Sequence, residues 1–215
     1  MIASEPTTLR AADGHELPAT IFAPPATRAV DLAVVVAPET GVERTEYFEL
    51  AEAMAESGAG VIVPGYRATA SAAGDRGRLD LACVLDVAGE AWPEAPSCVV
   101  AHGAGGWLAG WPAGVGRLRG MLVYGGRAIC AAAPPTHAGS FAGRLRAVTA
   151  VDDEAAPPAA ARALLALYRA STTELRRVTP RDLRVGAIGH LGYLRLPAGP
   201  RLWEPDLAWL RACVR

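Results

Sequence analysis

The hydrophobic residues of the chain occur in short continuous runs, separated by segments in which they recur at helical spacing. A continuous apolar run indicates a strand that is covered on both faces, as in a parallel sheet. By contrast, Tyr47, Leu50 and Met54 recur three and four residues apart, which places them on one face of a helix. The pattern predicts strands at 7–10, 17–22, 32–37, 61–63, 99–101, 121–124, 145–151 and 175–179, and helices at 45–57, 79–92, 107–111, 157–168 and 204–213.

The order of these elements predicts the fold class. Asp13-Gly14 lies between the first two strands and is a strong hairpin signal, so these two strands should form an antiparallel edge. From residue 32 onward strands and helices alternate, which gives a mostly parallel central sheet with helices on both faces. There is no internal repeat and no linker-like segment, so we predict a single α/β domain that spans residues 1–215.

Composition and charge exclude several classes of function. The formal net charge is −1 and no basic block stands out, so we expect no nucleic-acid partner. We also expect no membrane span, because no apolar run approaches the roughly 20 residues that one requires. The polar residues within 1–22 are unlike a signal peptide, and the widely spaced Cys83, Cys98, Cys130 and Cys213 suit free thiols, so we expect a cytoplasmic location. No metal-binding or cofactor-binding motif is present, and we expect neither.

The segment 97–106, with the sequence SCVVAHGAGG, indicates a buried strand followed by a very sharp turn and the start of a helix. It resembles the nucleophile elbow of the α/β-hydrolases, usually written G-x-S-x-G. Ala101 stands where that motif has its first glycine, and Gly103 stands where it has the serine. The frame of a serine hydrolase is therefore present without its nucleophile.

The resemblance covers nearly the whole chain. Gly103, Asp153 and His190 follow the order nucleophile, acid and histidine that α/β-hydrolases share. The segment 188–195, with the sequence IGHLGYLR, resembles one found in a group of predicted bacterial α/β-hydrolases, and 38–42 resembles another of their segments. Two other positions depart from the pattern of that group, because Gly65 replaces an aspartate and Ala68 replaces a glycine.

The resemblance implies an α/β-hydrolase fold in which the lid is minimal or absent, since 125–143 is too short for a helical lid domain. It implies that His190 is the base and that Asp153 is the acid that orients it. It further implies that the backbone N–H groups of Glu39 and Ala104 form an oxyanion hole.

Several alternatives remain open at this stage. Asp152 competes with Asp153 as the acid, because adjacent side chains at a strand end point in opposite directions. A different nucleophile could replace the serine, but the sequence does not place Ser71, Cys130 or Ser140 near the histidine. We interpret His102, next to the turn, as structural. The nearby aromatic residues predict an apolar pocket; they are Trp107, Trp111, Tyr124 and Tyr193.

Gly103 shapes the functional hypotheses. Glycine adopts a positive φ at almost no cost, whereas another residue in that conformation is strained by about 1–3 kcal/mol, so glycine suits an elbow that no longer needs a hydroxyl. The first hypothesis is a cofactor-free general-base reaction of His190 and Asp153, of hydrolysis, lyase or cyclase type. Its substrate would be a small apolar ester, thioester or carbonyl compound.

The alternative is a non-catalytic protein that binds a small molecule or acts as a partner subunit, and a homo-oligomer is compatible with the sequence. A serine-to-glycine substitution introduced into a serine esterase would give the same residue at position 103. The genomic codon for residue 103 distinguishes that case from a native glycine.

Overall fold

The computed structural model describes residues 2–67, 74–108, 118–128 and 141–215, with the backbone alone at 74, 75, 107 and 108. The strands are β1 (Ala3–Arg10), β2 (Glu16–Ala23), β3 (Leu32–Ala37), β4 (Ala59–Pro64), β5 (Ser97–His102), β6 (Leu118–Tyr124), β7 (Arg144–Ala150) and β8 (Thr172–Val178). The helices are α1 (Phe48–Glu56), which follows a 3-10 turn at Arg44–Tyr47, then α2 (Gly74–Ala91), α3 (Gly105–Leu108), α4 (Pro158–Leu165) and α5 (Gly199–Cys213).

The eight strands form one sheet in the order β1-β2-β4-β3-β5-β6-β7-β8. β1 pairs with β2 and β2 pairs with β4 in antiparallel fashion. Every other neighbouring pair is parallel, from β4–β3 across to β7–β8. The predicted mostly parallel sheet with an antiparallel edge is therefore confirmed. None of the helices in the described ranges is long and apolar enough to cross a membrane.

The continuous apolar runs are explained by a core on each face of the sheet. Along β3, Val34 and Val36 pack with α1 and α5 on one face, while Val35 and Ala37 pack on the other face with α2 and α4. All four side chains are fully buried. Because full burial of a valine stabilises a fold by about 1.5–3 kcal/mol, a polar residue at any position of this strand would be costly.

The last helix begins earlier than predicted. The sequence pattern predicts this helix over 204–213, but α5 begins at Gly199 and has Pro205 in its interior. Pro200 occupies the first turn instead, where its missing N–H would have no helical partner. Burial of Leu202, Trp203 and other residues on the inner face of α5 compensates for the backbone hydrogen bond that Pro205 cannot donate.

The topology places several loops at one edge of the sheet. The carboxyl ends of parallel strands meet at the same edge, and ligand sites of open α/β sheets form there. Glu39 follows β3, Gly103 follows β5, Arg127 follows β6, Asp153 follows β7 and His190 follows β8. Residues far apart in the sequence are thereby brought to one place.

Candidate active site

Gly103 forms a tight turn between β5 and α3, and its φ of 53° has the positive sign predicted from the sequence. The buried strand β5 precedes the turn, and the Gly103 N–H donates to the carbonyl oxygen of Tyr124 at 2.9 Å. The carbonyl oxygen of Gly103 accepts from the backbone N–H of Arg127 at 3.2 Å. The turn is thus fixed by the end of β6 on one side and by the loop that follows β6 on the other.

His190 is oriented by Asp153. Its Nδ1 lies 3.0 Å from Oδ2 and 3.1 Å from Oδ1 of that carboxylate. The Asp153 side chain is fully buried, and it also accepts from the N–H of Ala156 at 2.9 Å and from the hydroxyl of Tyr193 at 3.1 Å. These donors fix the carboxylate, which in turn fixes the plane and the orientation of the imidazole.

Asp152 has a different partner. Its Oδ2 accepts a hydrogen bond from the N–H of Ile188 at 2.8 Å, two residues before the histidine. The structure therefore places Asp153 against the imidazole, while Asp152 holds the backbone two residues before the histidine.

The carboxylate of Glu39 lies against Gly103 and is the feature that the sequence analysis did not anticipate. A Cβ atom added at Gly103 would lie 1.4 Å from Oε2 and 2.5 Å from Cδ of Glu39. Oε2 accepts from the N–H of Ala104 at 2.6 Å, and Oε1 accepts from the guanidinium of Arg127 at 2.9 Å. The buried carboxylate thus fills the space in which the side chain of residue 103 would begin.

The two N–H groups expected to form an oxyanion hole lie at the elbow, but both have partners within the chain. The N–H of Glu39 donates to the hydroxyl of Tyr47 at 2.8 Å. The N–H of Ala104 donates to Glu39 Oε2. In this state neither donor is available to a substrate, and their role in binding an oxyanion stays a prediction.

His190 lies between two carboxylates. Its Nε2 is buried, is 3.7 Å from Glu39 Oε2 and has no hydrogen-bond partner among the described residues. The hydrogen bond with Asp153 and then the interaction with Glu39 raise the pKa of His190 to about 9, although burial opposes the shift. With this pKa the resting imidazole is protonated at neutral pH, and the role of base that the resemblance implies for His190 stays a prediction.

Both flanking acids remain ionised at neutral pH. Burial acts to raise the pKa of Glu39, but His190, the Ala104 N–H and Arg127 together hold it below its usual value. The same balance lowers the pKa of Asp153, where the hydrogen bond from His190 opposes the effect of burial. The centre thus holds two carboxylates, an imidazolium and a guanidinium.

His102 bonds to groups around the site, in agreement with its interpretation as structural. Its Nδ1 lies 3.1 Å from the Tyr47 hydroxyl and its Nε2 lies 2.9 Å from the carbonyl oxygen of His190. Because a carbonyl only accepts, Nε2 carries the proton. Burial lowers the pKa of His102 to about 4, so this ring is neutral and holds the backbone of the His190 loop.

A cavity of about 370 Å³ adjoins the site on the side of β4 and is lined in part by Glu39. Its wall also includes the charged residues Glu43, Arg44 and Arg67. The pocket next to the site is therefore not the apolar one predicted from nearby aromatic residues. Tyr124 and Tyr193 are fully buried in the core instead.

Some predicted features fall outside the described residues. These are Trp111, Ala68 and the three candidate substitute nucleophiles Ser71, Cys130 and Ser140. The segment 125–143, where the lid was expected to be minimal, is described only at 125–128 and 141–143, and the side chain of Trp107 is not described. Across the described ranges, no group of three or more His, Cys, Asp or Glu residues could hold a metal ion.

Sequence reasoning considered Glu39 only for its backbone N–H and overlooked Arg127. A signal for both existed, because an acidic residue and a basic residue each follow closely on a continuous apolar strand. Such residues lie at the edge where parallel strands end. Their positions after these strands suggest that Glu39 and Arg127 form an ion pair. They do not indicate that the Glu39 carboxylate contacts Gly103.

Neither the comparison with protein-family models nor the comparison with curated proteins gives a match. Solved structures do match over almost the whole chain. A dienelactone hydrolase from Anabaena variabilis is 14% identical with a TM-score of 0.70, and 100% of this chain aligns with 99% of it. An esterase from Pyrococcus furiosus is 11% identical with a TM-score of 0.74, and 100% of this chain aligns with 92% of it.

A third structure, from Xanthomonas campestris, is described as an α/β serine hydrolase without a lid. It is 18% identical with a TM-score of 0.67, and 99% of this chain aligns with 94% of it. At such low identity these likenesses establish the architecture and not the activity. Together with the strand order and the turn at Gly103, they establish that the chain has the α/β-hydrolase fold.

Proposed function

We propose that the protein is a cofactor-free enzyme of the esterase-like class that works without a serine nucleophile. In this proposal the His190–Asp153 pair transfers protons during the cleavage of a small ester, thioester or other carbonyl compound. One observation carries the proposal. Asp153 holds Nδ1 of His190, while the buried Nε2 has no hydrogen-bond partner among the described residues and lies 3.7 Å from Oε2 of Glu39, the oxygen that lies against Gly103.

The charge of His190 fixes the order of its proton transfers. Because Asp153 and Glu39 raise its pKa to about 9, the ring begins as a proton donor at neutral pH. It can protonate the leaving group, after which the neutral ring accepts a proton from water. This sequence of acid and then base differs from a serine hydrolase, in which the histidine begins as the base.

The test compares variants on three probes: 4-nitrophenyl acetate, 4-nitrophenyl thioacetate and γ-butyrolactone. His190→Gln should lose at least about 100-fold in kcat, since positioned acid–base groups contribute about 10²–10⁴-fold. His15→Gln, in the exposed turn between β1 and β2, is the matched control and should leave kcat unchanged. Equal rates for His190→Gln and the wild-type protein would contradict the proposal.

A second candidate function is the binding of a small molecule without turnover. The observation that favours it is that hydrogen-bond donors of the site already have a partner within the chain. The Glu39 carboxylate accepts from both the Ala104 N–H and the guanidinium of Arg127. Saturable binding of the butyrolactone, measured by calorimetry, together with no turnover of any probe would support binding alone. Turnover that depends on His190 would reject it.

A further inference from the structure

We propose that the carboxylate of Glu39 is the nucleophile of this site, and that its substrates are acyl compounds with a weakly basic leaving group, namely thioesters and aryl esters. The inference rests on the proposed function, because it uses His190 first as the acid and then as the base. It assigns to Glu39 the role that the elbow residue has in serine hydrolases.

The position of the carboxylate is the first argument. Oε2 lies 1.4 Å from where a Cβ of residue 103 would be, which is about one carbon–oxygen bond length. It is also 3.7 Å from Nε2 of His190, the atom that serves the nucleophile in serine hydrolases. The loop after β3 therefore places an oxygen atom of Glu39 close to where the serine oxygen of a hydrolase elbow would lie.

The charge and the access of Glu39 are the second argument. Its lowered pKa keeps the carboxylate ionised at neutral pH, and carboxylates act as nucleophiles in other hydrolytic enzymes. Although only 4% of the side chain is exposed, Glu39 forms part of the wall of the 370 Å³ cavity, which in this proposal is the side from which the acyl group approaches. Nε2 of the imidazolium lies 3.7 Å from Glu39 Oε2 and is the proton donor nearest to the point of attack in this proposal.

The first step forms an acyl intermediate. Oε2 of Glu39 attacks the carbonyl carbon of a thioester, and the carbon–sulfur bond breaks. The departing thiolate takes the proton from Nε2 of His190 and leaves as a thiol. The products of this step are a mixed anhydride with Glu39 and a neutral imidazole, whose pKa falls because one of its two neighbouring carboxylates has lost its charge.

The second step restores the carboxylate. Neutral His190 accepts a proton from water, and the oxygen of that water bonds to Cδ of Glu39. Negative charge develops on Oε1, which lies 2.9 Å from the guanidinium of Arg127. The bond between Cδ and the bridging oxygen then breaks, and the acyl group leaves as a carboxylate with the former Oε2 as one of its oxygens. Glu39 is left as a neutral acid and gives its proton to the departing carboxylate or to water, while His190 keeps the proton that it took from water. The site thus returns to its starting state, and the overall reaction is hydrolysis of the thioester.

The leaving group decides which substrates can react. The adduct formed by the attack expels the less basic of two groups, and the carboxylate of a glutamate has a conjugate-acid pKa of only about 4.3. Thiols, with a pKa of about 8.5, and phenols, with about 10, leave when His190 protonates them. Alkoxides are far more basic, so an alkyl ester would expel Glu39 and return to substrate.

Turnover measurements test the substrate class and the residue. Glu39→Gln keeps an oxygen that can accept from Ala104 but is not a nucleophile, and it should lose at least about 100-fold in kcat on 4-nitrophenyl thioacetate. Glu52→Gln, on the exposed side of α1, is the control and should match the wild-type protein. Ethyl acetate should not be hydrolysed. Hydrolysis of ethyl acetate at the rate of the thioester would overturn the inference.

Isotope labelling tests the covalent step in the wild-type protein. After turnover of 4-nitrophenyl thioacetate in H₂¹⁸O, mass spectrometry of the peptide that contains Glu39 should find ¹⁸O in that carboxylate. Turnover that depends on His190 but leaves Glu39 unlabelled would overturn this inference and leave the proposed function standing. Turnover that is absent, or indifferent to His190→Gln, would overturn the proposed function and the inference with it.

Discussion

Restoring a serine at position 103 is the most informative perturbation of the site. The added Cβ would lie 1.4 Å from Oε2 of Glu39, an overlap that no rotation of the serine removes. Glu39 must therefore leave its place between Ala104 and Arg127, where it accepts hydrogen bonds of 2.6 and 2.9 Å. The serine must also adopt the φ of 53° that Gly103 holds.

Both effects destabilise the fold. The positive φ costs about 1–3 kcal/mol for a residue other than glycine. Losing a hydrogen bond to a charged group costs about 1.5–3 kcal/mol. With one such hydrogen bond lost, Gly103→Ser should therefore lower the free energy of unfolding by about 2.5–6 kcal/mol. It should gain no esterase activity, because the displaced Glu39 side chain has to lie against the new hydroxyl or against His190.

The double variant Gly103→Ser/Glu39→Ala removes the overlap but keeps the backbone strain and the loss of the hydrogen bonds that Glu39 accepts from Ala104 and Arg127. Denaturant unfolding of the wild-type protein, both single variants and the double variant gives a double-mutant cycle, which should show a coupling of at least about 1 kcal/mol. The double variant should also hydrolyse 4-nitrophenyl acetate with a burst. Additive effects of the two substitutions on stability would refute the placement of the Glu39 carboxylate against Gly103.

The remaining predictions concern charge. Because His190 must begin protonated, kcat/KM for 4-nitrophenyl thioacetate should fall as the pH rises through about 9. A histidine that begins as the base would instead give a kcat/KM that rises with pH. A rise between pH 6 and 8 would therefore contradict the proposal that His190 acts first as the acid. Because the pKa of His190 is higher in the folded protein than in the unfolded chain, its protonation adds to the free energy of unfolding. This contribution is complete below the unfolded pKa of about 6.5 and is lost as the pH rises through the folded pKa of about 9. The free energy of unfolding of His190→Gln should not show this decrease with pH. Asp206→Ala should lower the free energy of unfolding, measured with denaturant, by about 3–5 kcal/mol. The reason is that the substitution removes the buried carboxylate with which both Arg146 and Arg176 form ion pairs. A decrease below about 1 kcal/mol would show that these ion pairs add little to stability.

Much of the architecture could be predicted because it depends on local patterns. The run at 32–37 is apolar at every position, and a strand covered on both faces is the structure that buries all of them. The turn at Gly103 could be predicted for a similar reason, since a strand that enters a glycine-rich segment before a helix has few conformations available. The choice between Asp152 and Asp153 needed the structure, because two adjacent acids look alike in a sequence.

The role of the Glu39 side chain could not be read from the sequence. Its contact with Ala104 joins residues 65 positions apart, and it depends on a rotamer that no periodicity specifies. The resemblance to α/β-hydrolases directed attention to the backbone N–H of Glu39, which instead donates to Tyr47. The raised pKa of His190 depends on the same contact in part. The hydrogen bond with Asp153 raises it most, and the Glu39 carboxylate, whose place the sequence does not specify, raises it further.

The central claim is that Glu39 occupies the nucleophile position beside a protonated His190. The most direct test is an NMR titration of the His190 imidazole in the wild-type protein and in Glu39→Gln, with the signal assigned from its loss in His190→Gln. We predict a pKa of about 9 in the wild-type protein and a lower pKa in Glu39→Gln, because one of the two flanking charges has been removed. A pKa close to the ordinary value of about 6.5 in both proteins would contradict the claim.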